Sequence, residues 1–585
     1  ASSRLRLGLL EESIPLLEKL SSDDVNSVKN WERLIETFLR MEDKAQANET
    51  WGNLVSSSWD SFESFITSLE VSLRFHWKDR FQWLLETRGP LFQTREDYNR
   101  RLGKVFLNIG DIATCWGYLK KAKDFKNTDV FREISRILEI TGSSIGEIEE
   151  FESRGKSLWI ATLAVKTIIE NSDDGHNIRR GRRKVSLVSS TLNKGGAERQ
   201  ISYTFRGLNR KKFDCELLVR RFDGRGKGNT FLDLIDNIDG SKVEVGKIPL
   251  DEVEMVFDGF EVDPEVINLL PLGTAEMVKR LVHQFNIEGP DLVHAWQDET
   301  ILSASIAALI CRVPRVLCSA RSMRPDEKSE LHIRKRPHIG QCIGHLIGMD
   351  RISLTANSSA GKESYAEWLE IEKSKIGVIH NGVDFEMMEG QGDSGVVRSR
   401  MRDFGFRDGH VVIGGVFRLE PGKRVDLWLK TFEECLKFDD SLRGVIVGGG
   451  RMERALKRWV EEKGLKRRVL LTGFEEDVAS WLNEMDVFLL TSRTEGLPNV
   501  LIEAQGFGVP VVTTDAGGAR EVVENNSTGV VVESSDPVDL SLAVAMSIEN
   551  RENWSRNARS RSRKKFSIKG MIDSTEAIYS EILSA

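Results

Sequence analysis

Two glutamates eight residues apart, Glu495 and Glu503, lie within the segment T-E-G-L-P-N-V-L-I-E-A-Q-G (Thr494 to Gly506). The preceding M-D-V-F-L-L-T-S (Met485 to Ser492) reads as a buried parallel strand. Pro498 fits the first turn of the helix that follows, where a missing N–H costs nothing. The amides of Asn499 and Val500 then have no intrahelical acceptor and can serve an anion. Glu503 falls one turn further in, on the face of Asn499. Glu495, Gly496 and Leu497 stand in the loop at the strand's carboxyl end, where open α/β sheets bind ligands. Such a site wants a ligand with both hydroxyls and negative charge. Carboxylates at this spacing also occur as ordinary surface groups, so the pair gains meaning only from its company.

That company is three further loops. N-K-G-G-A-E-R-Q (Asn193 to Gln200) opens a helix with Gly195 and Gly196, which let backbone approach a phosphate while the helix start donates amides. V-F-R-L-E-P-G-K-R (Val416 to Arg424) sets Arg418 and Lys423 around a tight turn, a guanidinium fork and a point charge suited to a diphosphate. V-G-G-G-R (Val447 to Arg451) centres on Gly449 and is amide-lined; Glu453 stands where a dinucleotide fingerprint would have its third glycine. Each loop alone is equally readable as a plain turn or a surface cation pair.

The elements that must position these loops are strands alternating with helices. Apolar runs at 185–190, 215–220, 291–295, 315–319, 352–356 and 376–380 form one βαβ series. A polar stretch from Met388 to Arg402 interrupts it, and a second series follows at 410–417, 444–448, 469–473, 487–491, 509–514 and 529–532. Two tandem doubly wound parallel sheets are expected, facing a cleft. Upstream, residues 1–150 show helical apolar spacing, as in Leu9 to Leu20 and Trp31 to Arg40, and predict an all-α domain loosely like tetratricopeptide arrays. Its tryptophans are expected in the core. Residues 151–184 read as a helical and basic linker, 185–390 as the first Rossmann-like domain and 391–585 as the second. On this division, deleting residues 1–178 should leave a folded core. The basic run Arg179-Arg180-Gly181-Arg182-Arg183-Lys184 could meet anionic headgroups or be a solvated linker face.

Composition narrows the class. The chain has 585 residues, 40% apolar and 30% charged, with a net charge of −7, which argues against bulk nucleic-acid affinity. Six cysteines are scattered without a C-x-x-C pair, fitting reduced thiols better than a disulfide framework or zinc site. No apolar run approaches the ~20 residues of a membrane span, and no signal peptide is visible. A cytoplasmic setting is expected, with contact at the inner membrane face through the basic run.

Taken in order, G-G-A-E-R, I-H-N-G-V-D (Ile379 to Asp384), Arg418-x4-Lys423, T-G-F (472–474), Glu495-x7-Glu503 and D-A-G-G-A-R-E-V-V (Asp515 to Val523) resemble the retaining GT-B glycosyltransferases of family 4, over residues 185–580. The resemblance implies that Arg418 and Lys423 neutralise the donor diphosphate and that Glu503 binds ribose hydroxyls. It implies that Glu495 holds the transferred sugar, that amides near Gly196, Asn499 and Val500 complete the cradle, and that Phe474 meets the base. No D-x-D motif occurs, so no metal and no cofactor beyond the nucleotide-sugar co-substrate is expected, with UDP as carrier. The acceptor would be a glycan or lipid-linked sugar of a bacterial surface polymer or glycolipid, and the N-terminal helices would meet a protein partner or a second copy of the chain.

One departure stands out. Many relatives carry H-x-H at a first-domain strand end; here the segment is V-H-A-W-Q-D, and Trp296 takes the second place. His294, Gln297 and Asp298 are the candidates left for contacting donor or acceptor, His294 as a catalytic group or as a satisfied strand-end histidine. A nucleotide-sugar epimerase and a non-catalytic scaffold are the alternative readings.

Overall fold

The computed structural model describes residues 10–23, 27–40, 44–56, 61–74, 77–172, 175, 178, 181–222, 231–250, 253, 260–325, 338–390 and 394–584. Short helices from Leu10–Asp23 to Ile145–Ser153 come first. Trp31 and Trp116 are buried among them, whereas Trp83 is 42% exposed. Trp51 and Trp77 are half-buried and flank Arg80, whose guanidinium lies 3.8 Å from the Trp77 ring centre.

Two parallel sheets follow. The first contains β1 (Arg183–Thr191), β2 (Phe213–Arg221), β3 (Lys242–Glu244), β4 (Leu292–Trp296), β5 (Arg315–Ala320), β6 (Ile352–Ala356) and β7 (Ile376–Val378). Their order is β3-β2-β1-β4-β5-β6-β7, so the topological switch lies between β1 and β4. The second contains β8 (Val412–Val416), β9 (Arg443–Val447), β10 (Val469–Gly473), β11 (Val487–Leu490), β12 (Val511–Thr514) and β13 (Gly529–Val532), ordered β10-β9-β8-β11-β12-β13. Here the switch is between β8 and β11, placing the Arg418 and Glu495 loops side by side. Central strands such as β4 and β11 are buried along their whole length because helices cover both faces, which is why they read as continuous apolar runs. The expected α/β class with two Rossmann-like sheets and a helical N-terminal region is what the chain folds into.

Three connections differ from expectation. The segment 151–184 is not only a linker: helix Ile160–Glu170 buries Ala161, Ala164, Val165 and Ile168 in the same core as Ile306, Leu309 and Ile343 beside the first sheet. The chain crosses to the second sheet at Ile379 to Asp384, before the expected boundary, since Val383 and Phe385 already belong to the second core. The last helix, Ile568–Ser584, returns to the first sheet, where Tyr579 and Leu583 pack with Phe205, Phe213 and Trp296.

Candidate functional site

Two helix starts meet across the cleft. Helix Gly196–Gly207 begins after Gly195, and Arg199 is its first residue to bond back, to the Gly195 carbonyl at 3.1 Å; the earlier amides lack intrahelical acceptors. Helix Asn499–Gly506 begins after Pro498, which caps the helix one position earlier than expected, and Leu501 bonds back to Pro498 at 3.1 Å. A Cβ on Gly196 would lie 3.2 Å from Asn499 Nδ2, so glycine lets the two starts abut. Arg418 reaches this junction: its exposed guanidinium donates to the Lys194 carbonyl at 3.4 Å and would lie 3.6 Å from a Cβ on Gly195.

The Arg418 loop is held from below by the glycine run. Gly448 has φ +127, and a Cβ there would come within 1.9 Å of the Phe417 carbonyl; Leu419 donates to the Gly449 carbonyl at 3.0 Å. Gly449 also backs Phe474, which is 57% exposed, with Lys194 Nζ 5.7 Å from its ring centre. Lys194 pairs with Glu476 at 2.7 Å, so this rim joins both sheets.

Lys423 donates directly to Glu495. The backbone that presents Glu495 is fixed by Arg424, a residue in the left-handed region (φ 47) whose guanidinium donates to the carbonyls of Thr491 (2.8 Å) and Ser492 (3.1 Å). Gly517 and Gly518 press on the other side, where Cβ atoms would meet the Glu495 and Gly496 carbonyls at 2.2 and 2.0 Å. Asn381, from the crossing segment, donates to the Leu497 carbonyl at 3.1 Å and to Asn499 Oδ1 at 2.7 Å. Val500 is half-buried on the first turn beside Asn499.

Glu503 is 3% exposed and accepts from Arg199 of the first sheet's opening helix. Burial pulls the Arg199 guanidinium down, but the Glu503 charge, Tyr203 and the hydrogen bond to Glu503 together outweigh it and raise it. The second glutamate thus closes a bridge between sheets, a partnership that sequence spacing did not reveal. Its only signal was Arg199 itself, standing one turn into a glycine-opened helix. Glu198 was also missed: Gln297 donates to it at 3.1 Å, and its Oε2 occupies the space a Cβ on Gly195 would need, 2.3 Å away.

His294 requires correction. It is 1% exposed, with Nδ1 2.7 Å from the Tyr579 hydroxyl and Nε2 2.8 Å from Ser319 Oγ. Burial, with Arg321 adding to it, holds its pKa down to about 3. A neutral imidazole with both nitrogens occupied and no exposed edge is a core group, not one that contacts donor or acceptor. Asp298 accepts from the Tyr365 hydroxyl within the first sheet's own shell. Gln297 holds φ 73 at the end of β4 and accepts from Ser190 at 3.1 Å. In the basic run, Arg179 and Arg180 lie outside the described residues; Arg182 pairs with Asp214 at 2.9 Å and Lys184 with Glu288, so these two serve the fold. Among the described residues no group of three His, Cys, Asp or Glu side chains could hold a metal, and no helix is long and apolar enough to cross a membrane.

Residues 194–387 match the family profile Glycosyltransferase Family 4, and residues 398–561 match Glycosyl transferases group 1. The first match ends and the second begins just past the crossing between the sheets. Over residues 194–561 the chain is thus similar to glycosyltransferases in both halves and has the GT-B fold. Among curated relatives, the Vi polysaccharide biosynthesis protein VipC/TviE of Salmonella typhi is 30% identical over 378 residues, 62% of this chain and 64% of that protein. This chain therefore spans just under two thirds of that relative's length. An Escherichia coli UDP-Gal:alpha-D-GlcNAc-diphosphoundecaprenol alpha-1,3-galactosyltransferase is 27% identical, covering 50% of this chain and 76% of that enzyme. The Anabaena protein HepE, solved in complex with UDP-glucose, superposes with a TM-score of 0.55 at 19% identity, over 68% of this chain and all of that one. A Rickettsia africae glycosyltransferase superposes at 0.54 and 18% identity, over 69% of this chain and 99% of that one. In the GT-B frame, the Arg418, Lys423–Glu495 and Gly196–Asn499 groups sit where the two sheets' carboxyl ends face each other, and the N-terminal helices lie outside both family matches.

Proposed function

We propose that the chain is a retaining, metal-independent glycosyltransferase. It moves a sugar from a UDP-sugar to a glycan or lipid-linked acceptor in the synthesis of a bacterial surface polysaccharide or glycolipid. One observation carries the reading: two helix starts from opposite sheets, at Gly196 and Asn499, abut beside Arg418 and the Lys423–Glu495 pair. Amides and a cation converging on one point suit a diphosphate leaving group, and carboxylates beside them suit sugar hydroxyls.

In this mechanism the C–O bond between the anomeric carbon and the diphosphate breaks with its electron pair moving onto the phosphate oxygen. The acceptor hydroxyl oxygen bonds to that carbon from the same face, and the hydroxyl proton passes to the departing phosphate oxygen. Arg418, Lys423 and the helix-start amides meet that growing charge. Glu495, steadied by Lys423 and Arg424, orients the sugar through its hydroxyls, and Phe474 offers an exposed face for the base. Glu503 would take the ribose hydroxyls only as it shares or releases Arg199. The relatives support the substrate class: one is named for UDP-Gal and a diphosphoundecaprenol-linked acceptor, and another for polysaccharide biosynthesis. They favour transfer over epimerisation. Work at the inner membrane face, and a protein partner for the N-terminal helices, belong to the same proposal.

The test is donor-dependent turnover. UDP should raise the melting temperature, since a ligand at a hundredfold excess over Kd adds ~2.7 kcal/mol. A UDP-sugar should release UDP with the anomeric configuration kept in the product. Absence of turnover with intact UDP binding would favour the scaffold reading; an inverted product would remove retention.

A further inference from the structure

Beside the cradle, three neighbouring strands of the first sheet end in buried polar groups that lack partners. Trp296 closes β4, Arg321 follows β5, and Asn357 follows β6. Trp296 is 3% exposed and Asn357 2%, yet among the described residues Trp296 Nε1, Arg321 Nε and Asn357 Oδ1 have no hydrogen-bond partner. Buried polar atoms are paired in the great majority of cases, so three orphans at adjacent strand ends need a reason.

They form one cluster. The Arg321 guanidinium lies 4.3 Å from the Trp296 ring centre. Asn357 donates to the Arg321 carbonyl at 3.1 Å, and Arg321 Nη2 donates to Asn381, the residue that also holds Leu497 and Asn499. The opposite wall is Gly496: a Cβ there would lie 2.6 Å from Ser322 Cα and 3.0 Å from both the Arg321 carbonyl and Asn357 Nδ2. The cluster therefore faces the residue next to Glu495.

Its charge is uncompensated. Arg199 has Glu503, Lys423 has Glu495, Arg206 has Asp384 and Lys194 has Glu476. Among the described residues Arg321 forms no ion pair, and burial pulls its guanidinium down to about 9. A half-buried cation whose Nε is sealed from solvent and which has no counter-ion is costly, and such costs persist where a ligand supplies the missing charge.

We propose that Arg321, with Trp296 and Asn357, forms a subsite for the carboxylate of an acidic sugar, so that the substrate on the Glu495 side of the cleft is a hexuronic acid. The guanidinium Nε–H and the indole N–H supply two donors to the carboxylate oxygens, and Asn357 Oδ1 accepts from an adjacent hydroxyl. A neutral hexose could meet the donors but would leave the charge unanswered. Diphosphate is already served by Arg418 and the two helix starts, which leaves Arg321 for the sugar. This inference rests on the transferase reading above. The acidic sugar could be the transferred one or the acceptor's terminal one, and the experiment separates them.

Titration calorimetry of the full chain, with UDP, UDP-glucose and UDP-glucuronic acid, reads the donor arm. Glucuronate against glucose, each added to the UDP-saturated protein, reads the acceptor arm. The wild type should favour the acid by about 10-fold or more in one arm. Arg321→Gln should erase that preference, with UDP affinity kept within about 2-fold, and Arg321→Lys should keep part of it. Wild-type indifference to the carboxylate in both arms would overturn the subsite, whatever the variants do. Equal loss of UDP and UDP-sugar affinity in Arg321→Gln would also overturn it, by assigning the residue to the diphosphate. If wild-type protein binds no UDP, the donor reading fails instead, and the free-sugar arm run without UDP still decides whether the carboxylate is recognised.

Discussion

Arg199 and Glu503, 304 positions apart in the chain, form an ion pair that ties the opening helix of the first sheet to the Glu495–Glu503 helix of the second. Both ends are largely covered, with side-chain exposures of 21% and 4%. Removing one partner of such a pair strands the other charge. Arg199→Met and Glu503→Leu should each destabilise by about 3 kcal/mol, and the double variant by less than their sum. Urea unfolding of the four proteins checks this; additive losses would mean that the residues do not interact in solution.

Glu495→Gln and Arg418→Ala should each lower turnover by about 100-fold or more, the scale of one lost transition-state charge contact. Arg418 is exposed, so its variant should unfold with the wild type. Near-wild-type kinetics in either variant would remove that residue from the chemistry.

Turnover should survive EDTA, because in the proposed mechanism guanidinium, ammonium and helix-start amides meet the leaving-group charge. Complete loss on chelation, restored by magnesium or manganese, would contradict the metal-free mechanism.

Truncation should depend sharply on where it begins. A chain starting at residue 179 lacks Ala161, Ala164, Val165 and Ile168 and should aggregate or unfold, since those side chains fill the first sheet's core. A chain starting at residue 156 keeps them and should still bind UDP. Size-exclusion chromatography and UDP-dependent thermal shift on both proteins settle the point; equal behaviour would show that helix Ile160–Glu170 is dispensable.

His294 should make stability fall in acid. Its pKa is near ~6.5 in an unfolded chain and held down to about 3 by burial in the fold. Between those values the unfolded state carries the extra proton, so the contribution is complete above pH 6.5 and shrinks by ~1.4 kcal/mol per unit as pH falls. Asp111 and Glu216, whose burial raises their pKa values, act in the opposite direction. The difference between wild type and His294→Gln isolates the histidine: the variant's stability should decline less steeply between pH 6.5 and 4. Parallel curves would show that the imidazole is accessible to protons in the fold.

Most strands were legible because parallel strands covered on both faces read as unbroken apolar runs; β4, β6 and β11 need no other signal. The exception is β3, three half-buried residues at a sheet edge, Lys242–Glu244, with no apolar run to show. The Arg418 and Glu495 loops were legible because glycine and proline mark turns at strand ends. His294 was not. A histidine two residues before Trp296 is equally consistent with a cleft position, and nothing local says that a helix near residue 579 covers it. Arg321 carried no motif at all; only its packing against Trp296 and Asn381 makes its missing counter-ion visible.

The chain passes between the sheets twice, and the two passages run side by side. Val383 donates to the Phe566 carbonyl at 2.9 Å, and Ile568 donates to the Val383 carbonyl at 3.1 Å. One strand of chain would permit swivelling in any direction. Two, hydrogen-bonded to each other, restrain the relative twist of the sheets more than one passage could, and so help hold the faces at Gly196 and Asn499 in register. The final helix completes the second passage, so its loss should cost alignment of the two halves as well as packing.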